Sequence, residues 1–379
     1  MKIAVVTLPL HTNYGGLLQT FALKSYLESL GHEVTVLDPK DKMPLPKWWK
    51  ASFIYAKRAL QRMAKGPAGP EVFREIRFRR EYPYISAETQ KFIDAYISPR
   101  VIRSYHDIQE GDYDAFVVGS DQVWRPRYFG RIEDAFLAFA KDWDVVRLSY
   151  AASFGTDSLE YEYFQVEECA GLLERFDGVS VREDAGVQMC QEWFDCDRAV
   201  QVVDPVLLLD ASVYKALAVS AKTHPAVGKV VSYILDPSKE KRAVLDFMVR
   251  VSGLQVHDVS PRSEDLSRPL QERVVPPLED WLAAFADAEY VVTDSFHGCV
   301  LSILFHKPFV AVGNSRRGMA RLQSLLTMFG LDMRLVHGID PDDDGEFFLS
   351  HPDWNETEAV LAEERMKSGD FLKDVLHKG

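Results

Sequence analysis

At 379 residues the chain is longer than one ordinary core accommodates, and at roughly 100–200 residues per domain it predicts two domains. Hydrophobic residues at 47% and charged residues at 27% exclude a disordered, collagenous or rod-like chain, and no stretch approaches the roughly 18 consecutive apolar residues of a membrane span. The net charge of −13 opposes nonspecific binding to nucleic acid.

The first forty residues read as a strand, a turn, a helix and a second strand. Lys2 to Leu8 is a short apolar run suited to a buried parallel strand, and this start carries no cleavage site, so the chain is expected in the cytoplasm. Leu18, Ala22, Leu23, Tyr26, Leu27 and Leu30 follow at helical spacing, Gly31 supplies the stop, and Val34 to Leu37 gives the next strand.

The stretch from Met43 to Tyr84 breaks this alternation and reads as an insertion. Between Lys40 and Arg80 twelve Lys and Arg face three acids, a surplus of nine that leaves −22 on the remainder. Lys47, Trp48, Trp49, Lys50, Phe53, Ile54, Tyr55, Leu60 and Met63, with Lys57, Arg58, Arg62 and Lys65, mix interfacial aromatics with cations. Such a segment suits either an amphipathic helix on an anionic bilayer or a helix packing its apolar side on the first domain.

Further strands are predicted at Asp114 to Val118, Val145 to Ala151, Gly178 to Val181 and Ala199 to Val203. A second series runs strand (Lys229 to Leu235), helix (Lys239 to Val251), strand (Leu254 to Val259), helix (Leu278 to Ala286), strand (Tyr290 to Thr293), helix (Gly298 to Phe305) and strand (Pro308 to Val312). This alternation predicts an α/β protein of two doubly wound domains: 1–211 with the insertion, and 212–345. Residues 346–379 form a helical tail that returns to the first domain, with Asn355 as N-cap and Glu358 at the capping-box position. Cys169, Cys190, Cys196 and Cys299 show neither CxxC spacing nor a disulfide framework, so reduced thiols and no metal site are expected.

Ligands of parallel α/β sheets bind beyond the carboxyl ends of the strands, and five strand-end loops carry unusual residues. His11-Thr12-Asn13-Tyr14-Gly15-Gly16 opens a helix; its glycines suit either close ligand approach or a tight turn, and it is neither GxGxxG nor a Walker loop. Gly119-Ser120-Asp121-Gln122-Val123-Trp124 offers a carboxylate, an amide and an indole for a sugar ring, although Asp121 also suits a helix cap. Arg182 suits bidentate capture of a carboxylate or phosphate, or an ion pair with Glu183 or Asp184. His297, in Thr293-Asp294-Ser295-Phe296-His297-Gly298, places an imidazole at a helix N-terminus, fit for a proton donor to an anionic ligand. Arg316 and Arg317 add charge to the same edge or form a solvated pair. Together these cations predict a small, highly charged anion as ligand.

The segments NYGGLLQTFALKSYLESLGHEVTVLD (13–38), VVGSDQVWRP (117–126), LSYAASFG (148–155), VSVRED (179–184), VVDPVLLL (202–209) and VVTDSFHGCVLSILFHKPFVAVGN (291–314) resemble, in this order, the polysaccharide pyruvyl transferase family. The resemblance implies a GT-B-like fold, two Rossmann-like domains facing a cleft, with phosphoenolpyruvate as donor and a saccharide hydroxyl pair as acceptor. It implies a pyruvate ketal placed on a surface polysaccharide or its lipid-linked precursor, with no further cofactor. The family's phosphoenolpyruvate-binding arginine falls on Arg182, its histidine on His297, and a further basic residue on Arg316 or Arg317. Ser295 and Gly298 complete the expected donor site; Asn13, Gly15, Gly16, Gln122 and Trp124 are the expected acceptor side. His297 is the candidate acid, Asp121 the candidate base and Asp294 its rival. The competing readings are a glycosyltransferase of the same shape using a nucleotide sugar, and a bilobed anion-binding protein.

Overall fold

The computed structural model describes residues 1–39, 46, 48–66, 69–221, 224–314, 318–340 and 342–377. In the first half, Lys2–Val6 (β1), Glu33–Pro39 (β2), Arg100–Ile102 (β3), Ala115–Val118 (β4) and Val146–Ser149 (β5) form a parallel sheet in the order β3-β2-β1-β4-β5. Ser180–Val181 (β6) and Val200–Gln201 (β7) pair with each other and join β5 through bridges from Leu148 to Gly178 and from Ala152 to Val181. Every residue of β4 is buried, which follows from a parallel strand covered on both faces.

The second half forms its own parallel sheet from Val230–Tyr233 (β8), Val256–Asp258 (β9), Tyr290–Thr293 (β10), Phe309–Val312 (β11) and Leu335–Val336 (β12), in the order β12-β11-β10-β8-β9. The fold is therefore α/β with two Rossmann-like domains facing a cleft. Each sheet reverses its strand order once, between β1 and β4 and between β8 and β10. The loops after those four strands meet across the cleft, where such sheets gather ligands.

The two halves share one continuous apolar core. Tyr14, at the start of helix Tyr14–Ser29, stacks on Trp281 of helix Leu278–Asp287 at 5.0 Å and donates its hydroxyl to the Pro276 carbonyl at 2.8 Å. Gly318, at φ +90°, passes so close to the Gly155 carbonyl that a Cβ there would fall 1.6 Å from the oxygen. Within the insertion, residues 43–45, 47 and 67–68 lie outside the described residues; the rest forms helices Trp48–Lys65 and Arg74–Ile85. Arg273 of the second half reaches Glu81 on the latter at 2.7 Å.

Strand-forming runs of two or three residues escape a periodicity reading, and β3 and β12 are both that short. The N-cap of the tail helix Trp354–Leu376 also differs from expectation. Asn355 is already helical, and Asp353 is the cap, its carboxylate accepting from the backbone N–H groups of Asn355 and Glu356. Glu358 turns away to His306, 2.7 Å from its Nε2. The tail helix lies along the first domain: Ser368 Oγ accepts from the Val203 N–H, Arg365 donates to the Leu209 carbonyl, and Val375 packs on Gly178.

Replacing Asp353 with Ala removes the cap and is expected to cost about 1 kcal/mol of helix stability. In limited proteolysis the tail of D353A is released faster, while that of N355A behaves as the parent.

Candidate functional site

Each side of the cleft is set by tight local structure. On the first domain, Gln19 of helix Tyr14–Ser29 accepts from the Ser120 N–H at 3.0 Å and donates to Thr7, tying the loop after β4 to the loop after β1. Gly119 sits where a Cβ would lie 2.0 Å from the Tyr150 carbonyl, so no larger residue fits that bend. The loop then presents Asp121 in the left-handed region, φ +67°, with its carboxylate aimed at the second domain.

Asp121 belongs to a buried chain of charges. Arg182, after β6, donates from Nη1 to Asp204 Oδ2 at 2.8 Å and from Nη2 to Asp121 Oδ1 at 3.2 Å. Arg321, from helix Ala320–Met328 of the second domain, approaches the same Asp121 oxygen at 3.7 Å. Both guanidinium groups lie over the ring of Phe296, at 4.3 Å and 5.9 Å. Burial pushes the Asp121 carboxyl up, but Arg182 and Arg321 outweigh it and hold the group below the usual carboxylate range. Arg182 is stabilised in its charged form against burial by Asp204 and Asp121. Arg321 fares worse: burial, and then the neighbouring Arg182, pull it down to about 10. It stays charged at neutral pH, yet an anion beside it would be welcome.

His297 completes the group. It stands in the first turn of helix Phe296–Leu304, capped by Ser295, and Asp204 Oδ2 is 3.8 Å from its Nε2, too far for a hydrogen bond. That buried nitrogen has no hydrogen-bond partner. Burial lowers the proton affinity of the ring, Asp204 raises it and Arg182 lowers it further; the net direction is down, so the imidazole is neutral at pH 7. Gly15 makes room for the ring: a Cβ there would be 2.1 Å from His297 Nδ1.

A cleft of about 470 Å³, counting its space open to solvent, is faced by Asn13, Asp121, Ser295, His297, Asn314 and Arg321 among others. The arrangement can bind an anion and move a proton. Among the described residues no group of three or more His, Cys, Asp or Glu side chains is placed to hold a metal ion.

The structure brings Asp121, Ser295, His297 and Asn13 together at this cleft and separates others from it. Trp124, expected to stack on a sugar, is wholly buried; its Nε1 donates to the Ala135 carbonyl and its ring stacks on Phe136 at 4.9 Å. It is a core residue because its loop turns inward beneath β4. Gln122 is held by Arg125 at 2.9 Å and packs against Gly155, with one side at the cleft. Gly16 lies beside the Asn13 amide. Gly298 serves packing, since a Cβ there would be 2.3 Å from Thr293 Oγ1.

Asp294, the rival base, is saturated. Its carboxylate accepts from the Leu235 and Asp236 N–H groups, Lys241 Nζ and Asn314 Nδ2, all within 3.1 Å, so it braces the loops of the second sheet. Arg182 pairs with neither Glu183 nor Asp184. Glu183 instead accepts from Ser153, Phe154 and Gly155, and Asp184 is exposed. With its side chain 1% exposed, Arg182 stands behind Phe296 as a brace for both aspartates. Arg316 and Arg317 lie outside the described residues. Two functional residues escaped the sequence reading. Asp204 directly precedes a proline shortly after β7 and is open to the same strand-end rule that found the others. Arg321 leaves no such signal, because it sits inside a helix and only the tertiary fold turns it to the cleft.

The Neisseria meningitidis UDP-GlcNAc 2-epimerase bound to UDP-GlcNAc is similar at TM-score 0.49 and 10% identity, with both chains covered completely. The Methanocaldococcus jannaschii UDP-GlcNAc 2-epimerase in complex with UDP-GlcNAc and UDP gives 0.49 and 11%, again over both whole chains. A Polygonum tinctorium UDP-glucosyltransferase gives 0.44 and 12%, covering 99% of this chain and 97% of its own. No curated protein matches in sequence. The family model described as polysaccharide pyruvyl transferase matches residues 13–316, from the loop after β1 through the TDSFHG turn, and the chain belongs to that family.

Proposed function

We propose that the protein moves the pyruvyl group of phosphoenolpyruvate onto two hydroxyls of a saccharide, forming a pyruvate ketal on a surface polysaccharide or its lipid-linked precursor, in the cytoplasm. The observation that carries this reading is one cleft faced by a neutral imidazole whose buried Nε2 has no hydrogen-bond partner and by an arginine destabilised by burial and by Arg182. A small dianion or trianion relieves both at once.

Phosphoenolpyruvate carries a phosphate and a carboxylate on a three-carbon enol, so Arg321 and His297 neutralise and orient it while Ser295 and Asn13 offer hydrogen bonds. Arg182 keeps the aspartates in place behind them. The anion raises the proton affinity of His297, which enters the complex charged and gives its proton to the enol methylene carbon. One saccharide hydroxyl attacks the adjacent carbon. The imidazole, now neutral, takes that hydroxyl's proton. Asp121 is the poorer base, because two guanidinium groups hold it below its usual range. The carbon–phosphate-oxygen bond then breaks, the second hydroxyl closes the ketal, and its proton leaves with the phosphate. The two hydroxyl protons are thus accounted for on the new methyl group and on phosphate, with no change of oxidation state.

Phosphoenolpyruvate at a hundredfold its dissociation constant stabilises the protein by about 2.7 kcal/mol. Thermal unfolding of the parent therefore shifts upward with phosphoenolpyruvate and not with UDP-sugars, and R321A loses the shift. Stabilisation by a UDP-sugar alone would overturn the reading in favour of a glycosyltransferase.

The lowered proton affinity of His297 fixes the sign of the pH dependence. The free ring is neutral above its depressed value and takes up a proton when the anion binds, so phosphoenolpyruvate binds more tightly as pH falls from 8 toward 6. Titration calorimetry in buffers of different ionisation enthalpy detects that proton uptake in the parent. In H297Q the uptake attributable to the ring disappears, leaving only that of the ligand's own phosphate.

Gly15→Ala puts a methyl group 2.1 Å from the resting position of His297 Nδ1 and displaces the ring. Activity is expected to fall about a hundredfold, as for a misplaced catalytic group, while far-UV circular dichroism is unchanged.

A further inference from the structure

The helix Trp48–Lys65 turns Ala51, Ile54, Tyr55 and Ala59 partly inward and still leaves a second apolar face in solvent. None of its residues is buried. Its inner side is held by polar bonds: Arg58 forks onto Glu75 of the neighbouring helix through two 2.8 Å bonds and donates to the Val72 carbonyl, and Arg62 donates to the Gly69 carbonyl. Tyr55, half-buried, meets Phe73 edge-on at 4.9 Å.

The outer side is apolar as well. Trp49, Phe53, Ala56, Leu60 and Met63 follow one another at three- and four-residue steps and share one face, with Trp48 at its start. All are exposed, Trp48 at 88%, Phe53 at 73% and Met63 at 83%. A helix packed for the sake of a core turns that face inward; this one turns it to solvent. Lys50, Lys57 and Lys65 are exposed on the same helix. The segment from Lys40 to Arg80 carries a surplus of nine positive charges while the rest of the chain carries −22. An anionic surface therefore attracts this segment and repels the remainder, which fixes both the partner and the orientation.

We propose that this helix lies in the interface of an anionic lipid bilayer, with Trp48, Trp49, Phe53, Leu60 and Met63 in the acyl boundary and the lysines among the headgroups. Among the described residues no helix is long and apolar enough to cross a membrane, so the contact is peripheral. The fork from Arg58 to Glu75 passes the docking on to helix Arg74–Ile85, whose Arg77, Phe78 and Tyr82 line a cavity of about 1070 Å³, open mouth included, that reaches His11 and Thr12 of the loop after β1. On the pyruvyl-transfer reading, that cavity receives the saccharide of an acceptor carried by a lipid of the same bilayer.

The test is flotation of the full-length protein with vesicles of phosphatidylcholine alone or with phosphatidylglycerol. The parent is expected to float with the anionic vesicles, and the double variant F53E/L60E to bind at least about tenfold more weakly. Both positions are exposed and neither faces the cleft, so phosphoenolpyruvate-induced thermal stabilisation serves as the folding control. Equal flotation of the variant overturns the proposal, as does equal binding to uncharged vesicles. So does a dimer in light scattering that F53E/L60E converts to monomer without any vesicle binding by the parent. Flotation does not depend on the donor, so a membrane-bound protein indifferent to phosphoenolpyruvate would refute the pyruvyl-transfer reading and leave the docking intact.

Discussion

The buried sequence of charges Asp204, Arg182, Asp121 and Arg321 is the constraint on which the cleft depends. Taking four such groups from water is expensive, and breaking one pair leaves a neighbour uncompensated at a cost of about 3–5 kcal/mol. The chain balances, two cations against two anions, and Phe296 offers its ring face to both guanidinium groups. Because Asp121 comes from the first domain and Arg321 from the second, the balance also fixes how the domains close. His297 is then left buried beside a carboxylate already engaged by arginine, and that environment lowers its proton affinity.

Much of this was legible because strand ends are legible. Asp121, Arg182 and His297 all follow short apolar runs, and the rule that ligands gather beyond the carboxyl ends of parallel strands selects them without any knowledge of distances. The same rule misplaced Trp124, since it says which residues leave a strand and not which way the loop then folds. An indole after β4 can meet a ligand or complete the core. Here Phe136, stacked at 4.9 Å, supplies an apolar partner from a segment whose position no local pattern specifies. Arg321 was illegible for the opposite reason. Its helical neighbours Leu322, Leu325 and Leu326 mark an ordinary packed face, and only the crossing of that helix over the first domain brings its guanidinium to Asp121.

The glycines divide along a similar line. Their presence in the loops was plain, and ligand approach was the natural expectation for the pair at Gly15 and Gly16. The space at Gly15 is instead filled by the protein itself, with the His297 ring where a side chain would be. Gly155 and Gly318 likewise admit Gln122 and each other across the cleft. In a protein whose two halves meet through loops, a missing Cβ is as often a seat for the opposite domain as for a ligand, and spacing alone does not separate the two uses.

On the pyruvyl-transfer reading the unfavourable electrostatics of the cleft become part of the chemistry. A permanently charged His297 would need a standing counter-ion, and Asp204, shared with Arg182 and 3.8 Å away, is too committed to act as one. A permanently neutral one could not protonate carbon. The site resolves this by letting the substrate supply the missing negative charge, so the acid acquires its proton only when there is an enol to receive it. Arg321 fits the same logic, because a guanidinium whose proton affinity burial and the neighbouring Arg182 lower gains from an incoming phosphate or carboxylate. Stability given up within the cleft thus reappears as selectivity for a small, highly charged donor.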